Sequence, residues 1–298
     1  MPKILVTGSS GFIGQHIVRL AKERGYDVVT FDLKDHNILD LNSLKSAMQG
    51  CDAVIHLAAV VVDQKKFGSE LYNGYQTNVV GFLNVIELAH QQGIKKFLYA
   101  SSGAVYGRFG HISKPFSEDM KIAYSSERNH YGKTKMADEM IAASYHDEYE
   151  IITIGVRPFS VYGPGELEKG DKACAVGHMI QAKFDKKPIE IYGNGAQAKD
   201  FIFVTDAANI FLDLLEKGVD GVYNCATGKV TDFNTLAKIV GGKSVHVPNP
   251  HSYYVLLYHA NMQKTFDTIG RRPLISVRDG VGMTIDYYKK LRWAKPKR

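Results

Sequence analysis

Short apolar runs alternate with amphipathic segments through the first half of the chain. The apolar runs cover residues 3–7, 28–31, 53–58, 97–102 and 151–157, each about as long as a buried strand. Between them, helical spacing places Ile13, Ile17 and Leu20 on one face, and a second helical pattern covers residues 79–91. This alternation predicts a doubly wound α/β fold, in which helices cover both faces of a parallel sheet.

The regular alternation ends after Arg157. Residues 158–165 are rich in glycine and proline, which indicates a boundary. We therefore expect a first domain over residues 1–157 and a smaller second lobe over residues 158–298. A strand-like run at 189–192 lies in that lobe, and helical spacing at 207–215 predicts that a segment near 200–225 returns to the first domain.

Composition narrows the possible functions. Of the 298 residues, 45% are hydrophobic and 23% are charged, as in ordinary globular proteins. The net charge of +6 comes from scattered basic residues and a run at 289–298, which argues against nucleic-acid binding. The longest apolar stretch, at 54–62, is too short to cross a membrane. Cys51, Cys174 and Cys225 lack disulfide or zinc-site spacing, so we expect no metal and a cytoplasmic location.

A glycine-rich turn follows the first predicted strand. The sequence TGSSGFIG at residues 7–14 lies between that strand and a helix start. Backbone N–H groups in such a turn can approach a pyrophosphate at the positive end of the helix dipole. The candidate dinucleotide-binding residues are therefore Gly8, Gly11, Phe12, Ile13 and Gly14. Because glycines also mark ordinary turns, this motif alone is a weak indication.

Asp32 ends the second predicted strand, 18 positions after Gly14. A carboxylate at this place can accept hydrogen bonds from the ribose hydroxyls of NAD, and it would repel the additional phosphate of NADP. The sequence therefore favours NAD as the cofactor. Two alternatives stay open, since Lys34 could soften that repulsion and Asp32 could simply end a strand.

Ser102, Tyr131 and Lys135 form a candidate reactive set. Tyr131 and Lys135 are four residues apart and share one helix face. A phenol ordinarily ionises near pH 10, but a neighbouring ammonium favours the phenolate, so Tyr131 could act as the acid and base. Lys135 would also hold the nicotinamide ribose, and Ser102 would hydrogen-bond the reacting hydroxyl or carbonyl. Each residue alone has an ordinary structural explanation, whereas the combination with the glycine turn indicates a redox enzyme.

Longer motifs make the chain resemble the extended short-chain dehydrogenase/reductase family, in the nucleotide-sugar epimerase/dehydratase branch that includes UDP-glucose 4-epimerase. The resemblance covers nearly the whole chain and implies a Rossmann domain that binds NAD, followed by a substrate-binding lobe. The motifs are HLAA (56–59), NVVG (78–81), SSGAVYG (101–107), YGKTK (131–135), RPFSVYGPG (157–165) and KDFIFVTD (199–206).

The resemblance also implies which residues contact the ligands. Besides the glycine turn, Asp32, Tyr131 and Lys135, the implied cofactor contacts are Asn37, Ile38, Leu57, Ala58, Ala59, Asn78, Ala100 and Pro158. The implied substrate contacts are Ser102, Gly103, Tyr131, Ser160 and Lys199.

The sequence departs from this branch where relatives hold the nucleotide. Ser160 stands where asparagine is common, and Lys199 replaces an arginine, which keeps the charge but loses the two-pronged geometry. Residues 247–252 fall where many relatives carry an Arg-x-Gly-Asp element that meets the diphosphate and ribose. Either another basic residue, such as His251 or Arg271, replaces it, or the substrate is not a standard nucleotide diphosphate sugar.

The leading hypothesis is a nucleotide-sugar 4-epimerase that oxidises C4 transiently and returns the hydride to the other face. Gly103 and Ala104 follow Ser102 where dehydratases of the family carry an Asp-Glu pair, which argues against a 4,6-dehydratase. A dehydrogenase or reductase of the same family is the alternative, and a non-catalytic NAD-binding regulator is a further one. The expected partners are a small-molecule substrate and a second copy of the chain in a homodimer, with neither nucleic acid nor membrane.

Overall fold

The computed structural model describes residues 1–61, 68–107, 114–121, 129–249 and 256–294. Its strands and helices alternate along the chain. The strands are β1 (Lys3–Thr7), β2 (Asp27–Phe31), β3 (Ala53–His56), β4 (Lys96–Ala100), β5 (Ile152–Pro158), β6 (Ser160–Tyr162), β7 (Ile189–Tyr192), β8 (Ala198–Phe203), β9 (Gly221–Cys225), β10 (Val230–Asp232), β11 (Ser244–Val247) and β12 (Leu257–Tyr258).

Most of the connections between strands are helical. The α-helices are α1 (Phe12–Glu23), α2 (Leu41–Met48), α3 (Ser69–Tyr75), α4 (Gly81–Gln91), α5 (His130–Tyr149), α6 (Ala175–Phe184), α7 (Val204–Lys217), α8 (Phe233–Val240), α9 (Gln263–Ile269) and α10 (Val277–Ala294). A π-helical turn at Gln76–Val80 joins α3 to α4, and 3-10 turns lie at Gly103–Tyr106 and Leu167–Lys172. Among these described helices, none is long and apolar enough to cross a membrane.

Six parallel strands form the central sheet, in the order β2-β1-β3-β4-β5-β9. The predicted doubly wound α/β fold with a parallel sheet is confirmed. Two strands end two residues earlier than predicted, β3 at His56 and β4 at Ala100. The reason at β4 is local, because the Ser102 side chain caps the 3-10 turn that begins at Gly103.

Alternate residues of β1 point into two different cores. Ile4 and Val6 belong to the core that contains residues of α1 and α7, whereas Leu5 belongs to the core that contains residues of α2, α4 and α5. This is the period of two expected for a strand with helices on both faces of its sheet. The sheet therefore lies between two packed helical layers.

The smaller lobe is built around β8. This strand pairs with β6, β10 and β12, and β7 pairs with β11 in a separate two-stranded sheet. A third core, which includes Tyr162, Phe201, Phe233 and Val281, joins these strands to α6, α8 and α10. After β8 the chain continues directly through α7 to β9, the sixth strand of the central sheet.

Gly280 and Gly282 on α10 provide a matched test of this packing. A Cβ at position 280 would lie 2.2 Å from the Tyr162 hydroxyl oxygen, whereas a Cβ at position 282 has no heavy atom within 4 Å. We expect Gly280→Ala to lower the free energy of unfolding by about 1–3 kcal/mol. Gly282→Ala should raise it by up to about 1 kcal/mol, because alanine favours the helix. Denaturant unfolding measures both, and equal effects would contradict this packing.

Candidate active site

The glycine turn at residues 7–14 leads into the start of α1, and its backbone is not covered by side chains at the glycine positions. Gly8 has a φ of 68° and Gly11 donates its N–H to the Gly8 carbonyl at 3.1 Å. A Cβ at Gly14 would lie 2.2 Å from the same carbonyl oxygen, and a Cβ at Gly8 would lie 2.7 Å from the backbone nitrogen of Ala58. Side chains at these two positions would therefore collide with backbone atoms, so the tight turn requires glycine there.

A cavity of about 310 Å³ lies beside this turn and the ends of β2 and β3. Asp32 borders it and accepts a hydrogen bond from the backbone N–H of Ser10 at 2.8 Å. The predicted cofactor residues that line the cavity are Gly8, Gly11, Asp32, Asn37, Ile38, Leu57, Ala58 and Ala59. Sequence reasoning missed other lining residues, including His36, Val60 and Thr77, because they belong to loops or helices without a recognisable motif.

Asn78 hydrogen-bonds two segments near the cavity beside the glycine turn. It is buried in the π-helical turn, where it accepts the N–H of Val60 at 2.8 Å and donates to the Val60 carbonyl at 2.9 Å. Its amide also donates to the hydroxyl of Thr134 on α5 at 3.0 Å. The asparagine therefore connects the loop after β3 to the helix of the candidate reactive residues, and it is not among the residues that line the cavity.

The other predicted cofactor residues lie at element ends. Ala100 and Pro158 end the neighbouring parallel strands β4 and β5, on the same edge of the sheet. Phe12 and Ile13 begin α1, where Ile13 packs against the core. The Lys169 ammonium lies 5.3 Å from the centre of the Phe12 ring. Ala100, Pro158, Phe12 and Ile13 therefore all lie at or just after the carboxyl ends of the parallel strands.

The start of α5, which carries Tyr131, lies against the turn that Ser102 begins. The Ser102 hydroxyl accepts the N–H of Ala104 at 3.1 Å, which starts the 3-10 turn after β4. Asn129 caps α5 by accepting the N–H of Gly132 at 2.7 Å. A Cβ at Gly132 would lie 2.7 Å from the Ala104 carbonyl oxygen. The lack of a side chain at Gly132 therefore lets the start of α5 touch the turn that Ser102 begins.

Lys135 is buried one helical turn after Tyr131. Its ammonium lies 6.0 Å from the centre of the Tyr131 ring and 3.0 Å from Oδ2 of Asp138, and both side chains of that ion pair are at most 1% exposed. Burial opposes the charge on Lys135, but Asp138 and Tyr131 outweigh it and raise the pKa of the ammonium. Sequence reasoning missed Asp138, although its spacing of three residues from Lys135 was a visible signal.

A second buried ion pair holds α5 to the sheet. Arg157 on β5 donates to both carboxylate oxygens of Glu139, at 2.8 and 2.7 Å. Ser101 also donates to Glu139, and Arg157 donates to the Tyr106 hydroxyl at 2.9 Å. This network fixes the ends of β4 and β5 relative to the helix that carries Tyr131.

Tyr258 packs against Gly103, the residue after Ser102, and sequence reasoning missed it. A Cβ at Gly103 would lie 2.0 Å from the Tyr258 hydroxyl oxygen, so the glycine after Ser102 is needed to admit this ring. The ring centre lies 4.5 Å from that of Phe159. Burial raises the pKa of Tyr258, with further contributions from Tyr106 and Tyr131. A neutral phenol therefore lies beside the candidate reactive set.

Lys199 lines a separate cavity of about 610 Å³ in the smaller lobe. Its ammonium lies 5.8 Å from the centre of the Phe233 ring, and burial lowers its pKa. Basic groups of His178 and Lys187 border the same cavity, together with Glu190. This chemistry suits a ligand that combines a flat ring with negative charge.

The remaining predicted substrate residues lie elsewhere. Ser160 begins β6, where it pairs in register with Phe201, and it does not line the Lys199 cavity. Arg271, one suggested replacement for the Arg-x-Gly-Asp element, donates to Asp213 on α7 and also lies outside that lining. His251, the other suggestion, falls outside the described residues.

Comparison with known proteins agrees with this geometry. The model of the NAD dependent epimerase/dehydratase family matches residues 4–226. The chain is 28% identical to the UDP-glucuronate 4-epimerase of Thermodesulfobacterium geofontis, over 96% of each chain. It is 29% identical to a putative UDP-glucose 4-epimerase of Methanocaldococcus jannaschii, over 96% of this chain and 98% of that one.

The fold of this chain is also similar to that of an enzyme solved with its ligands bound. The UDP-glucuronic acid 4-epimerase of Bacillus cereus, in complex with UDP-glucuronic acid and NAD, superposes with a TM-score of 0.83 at 25% identity. The match covers 97% of this chain and 99% of that chain. Since the family model spans the glycine turn, the central sheet and the residues Ser102, Tyr131 and Lys135, this chain belongs to the NAD dependent epimerase/dehydratase family.

Proposed function

We propose that this protein is an NAD-dependent 4-epimerase of nucleotide sugars, with UDP-linked sugars as the first candidates. The observation that carries the proposal is the close approach of Gly132 to the Ala104 carbonyl, which sets the start of the helix carrying Tyr131 and Lys135 against the turn that Ser102 begins. The relatives that are named UDP-glucuronate 4-epimerase and putative UDP-glucose 4-epimerase support the substrate class.

The cofactor is NAD, and the residues present fit it. Gly8 and Gly14 allow a turn that is too tight for side chains, and Asp32 borders the adjoining cavity with an acceptor for ribose hydroxyls. When bound, NAD supplies a reversible hydride acceptor for C4 of the sugar. The chain therefore has to supply proton transfer, orientation and charge.

Tyr131 is the proposed acid and base of the reaction. It would remove the proton of the sugar 4-hydroxyl as C4 is oxidised, and it would return that proton after the 4-keto sugar has turned over. Ser102 would donate a hydrogen bond to the C4 oxygen, and the Lys135 ammonium would stabilise negative charge on Tyr131. Because the hydride returns to the same sugar, the overall reaction involves no net oxidation.

Cofactor and substrate are proposed to occupy different parts of the chain. The 310 Å³ cavity is lined by residues between Gly8 and Thr77, and the 610 Å³ cavity by residues between Ala173 and Phe233. This separation supports an NAD domain at residues 1–157, joined by the segment near 200–225, and a substrate lobe at 158–298. The nucleotide end of the substrate would then occupy the Lys199 cavity.

A cytoplasmic location is part of the proposal. Cys51, Cys174 and Cys225 are all free thiols in the structure. Unpaired cysteines are the usual state in a reducing compartment.

Purified protein given UDP-glucose or UDP-glucuronic acid, without added cofactor, should form the C4 epimer without accumulating NADH. Tyr131→Phe should lower kcat by about two to four orders of magnitude, because it removes the group that transfers the proton, while bound NAD is retained. Proton NMR of the sugar product measures epimer formation and its rate. The absorbance of the nucleotide released on denaturation measures how much NAD each variant retains.

Tyr149→Phe is the matched control for this experiment. It removes a half-exposed hydroxyl at the far end of the same helix, so kcat should stay within about twofold of the wild-type value. Stoichiometric NADH formation by the wild-type protein would favour a dehydrogenase instead. Wild-type turnover by Tyr131→Phe would contradict the proposed role of the phenol.

Lys199 tests the nucleotide end of the site. Lys199→Ala should raise KM for the nucleotide sugar tenfold or more, because a lost charge-assisted hydrogen bond costs about 1.5–3 kcal/mol. Lys199→Arg, which keeps the charge, should leave KM near the wild-type value. Lys238→Ala is the control. It removes an exposed ammonium from α8, and KM for the nucleotide sugar should not change. An unchanged KM for Lys199→Ala in steady-state assays would place the diphosphate elsewhere.

A homodimer is proposed through the outer faces of α4 and α5. These helices pack together, and the Tyr145 hydroxyl donates to Glu87 across their contact. Leu83 on α4 and Met140 on α5 are 41% and 54% exposed, and Val80 beside α4 is 41% exposed. Exposed apolar side chains on neighbouring helices favour association of two identical surfaces.

Leu83→Glu should convert the dimer to a monomer, because it places a charge in the proposed interface. Leu274→Glu is the control, since Leu274 is 85% exposed on the loop between α9 and α10. Light scattering coupled to size exclusion measures the mass of each variant. A monomeric wild-type protein, or a dimer that persists in Leu83→Glu, would rule out this interface.

A further inference from the structure

Asp138 is a buried carboxylate with one partner. It lies on α5 at 0% exposure, and its Oδ2 accepts a hydrogen bond from the Lys135 ammonium at 3.0 Å. Within the described residues, its Oδ1 is buried and has no hydrogen-bond partner. A buried carboxylate that is only half satisfied is costly to keep, which points to a role beyond packing.

Of the described ionisable groups near Lys135, only Asp138 is available to balance the charge of its ammonium. The next carboxylate on α5, that of Glu139, is already engaged by Arg157 through two hydrogen bonds. His56 on β3 faces the same region, and burial together with Lys135 lowers its pKa to about 3, so it is neutral. Tyr99 on β4 is also neutral, because burial raises its pKa well above the usual range. Burial raises the pKa of Asp138 itself to about 6, although Lys135 acts to lower it. Above that pH, Asp138 is therefore the anion that balances Lys135.

We propose that Asp138 is a positioning residue that fixes the Lys135 ammonium beside Tyr131 and offsets part of its charge. Through Lys135, Asp138 thereby sets the pH range over which Tyr131 accepts and returns a proton. This inference rests on the proposed function for the role of Tyr131 in turnover. The ion pair itself is a property of the structure alone.

The sign of the effect follows from electrostatics. Without the carboxylate charge, Tyr131 faces an ammonium that is no longer offset, so the phenolate forms at lower pH. Lys135 at the same time loses the partner that keeps it protonated against burial, so it also loses its proton at lower pH. Both limbs of the pH–rate profile depend on these two groups and should move in the same direction.

Asp138→Asn tests the proposal with a side chain of nearly the same shape. In the pH profile of kcat, we expect the acidic and the basic limb both to move down by about one pH unit. Asp138→Glu, which keeps the charge, should bring both limbs back towards the wild-type positions. Asp213→Asn is the control, because it weakens a partly exposed ion-pair cluster with Arg24 and Arg271, none of which contacts Tyr131 in the described structure. It should lower Tm without moving either limb.

A second measurement does not depend on turnover. The near-ultraviolet phenolate absorbance of each variant is followed against pH, with Tyr131→Phe in the same background as the subtracted reference. The signal of Tyr131 should appear at lower pH in Asp138→Asn than in the wild-type protein. Unchanged limbs and an unchanged phenolate signal in Asp138→Asn would overturn the proposal. Absence of epimerase activity in the wild-type protein would contradict only the proposed function, because the absorbance titration still tests Asp138.

Discussion

The close approach of α5 to the turn after β4 is the constraint on which the site depends. These two elements are separated by more than twenty residues of chain, and they meet because Gly132 offers no side chain towards the Ala104 carbonyl. The Arg157–Glu139 pair then fixes the same helix to β5. Any change that moved this helix outward would move Tyr131 away from the turn that Ser102 begins.

Buried charge is arranged in pairs along this helix. Lys135 is matched by Asp138, and Arg157 on the sheet is matched by Glu139. The consecutive carboxylates of Asp138 and Glu139 therefore pair with two cations, one on α5 and one on β5. Such pairs contribute little net stability, since both partners lose their hydration, but removing one partner leaves an expensive uncompensated charge. What the two pairs do fix is the orientation of the Lys135 ammonium and of α5 relative to β5.

The sequence predicted the features that depend on neighbours along the chain. Strand positions, the glycine turn and the place of Asp32 follow from local spacing, and the structure shows Asp32 beside the turn. Contacts between distant segments could not be read in this way. Tyr258 meets Gly103 only because β12 pairs with β8, which is a long-range register. The end of β4 was overestimated because an apolar run does not reveal that the Ser102 side chain caps the next turn.

The return of the chain from β8 through α7 to β9 has a consequence for how the protein folds. Asp200 on β8 accepts hydrogen bonds from the backbone N–H groups of Thr227 and Gly228, just after β9, so both ends of this excursion are tied together. The segment from β8 to β9 is therefore held at both ends by one carboxylate. A fragment that stops at residue 157 would lack the strand that covers β5, and would present an unpaired parallel edge to other chains. The central sheet is therefore complete only when residues on both sides of position 157 are present.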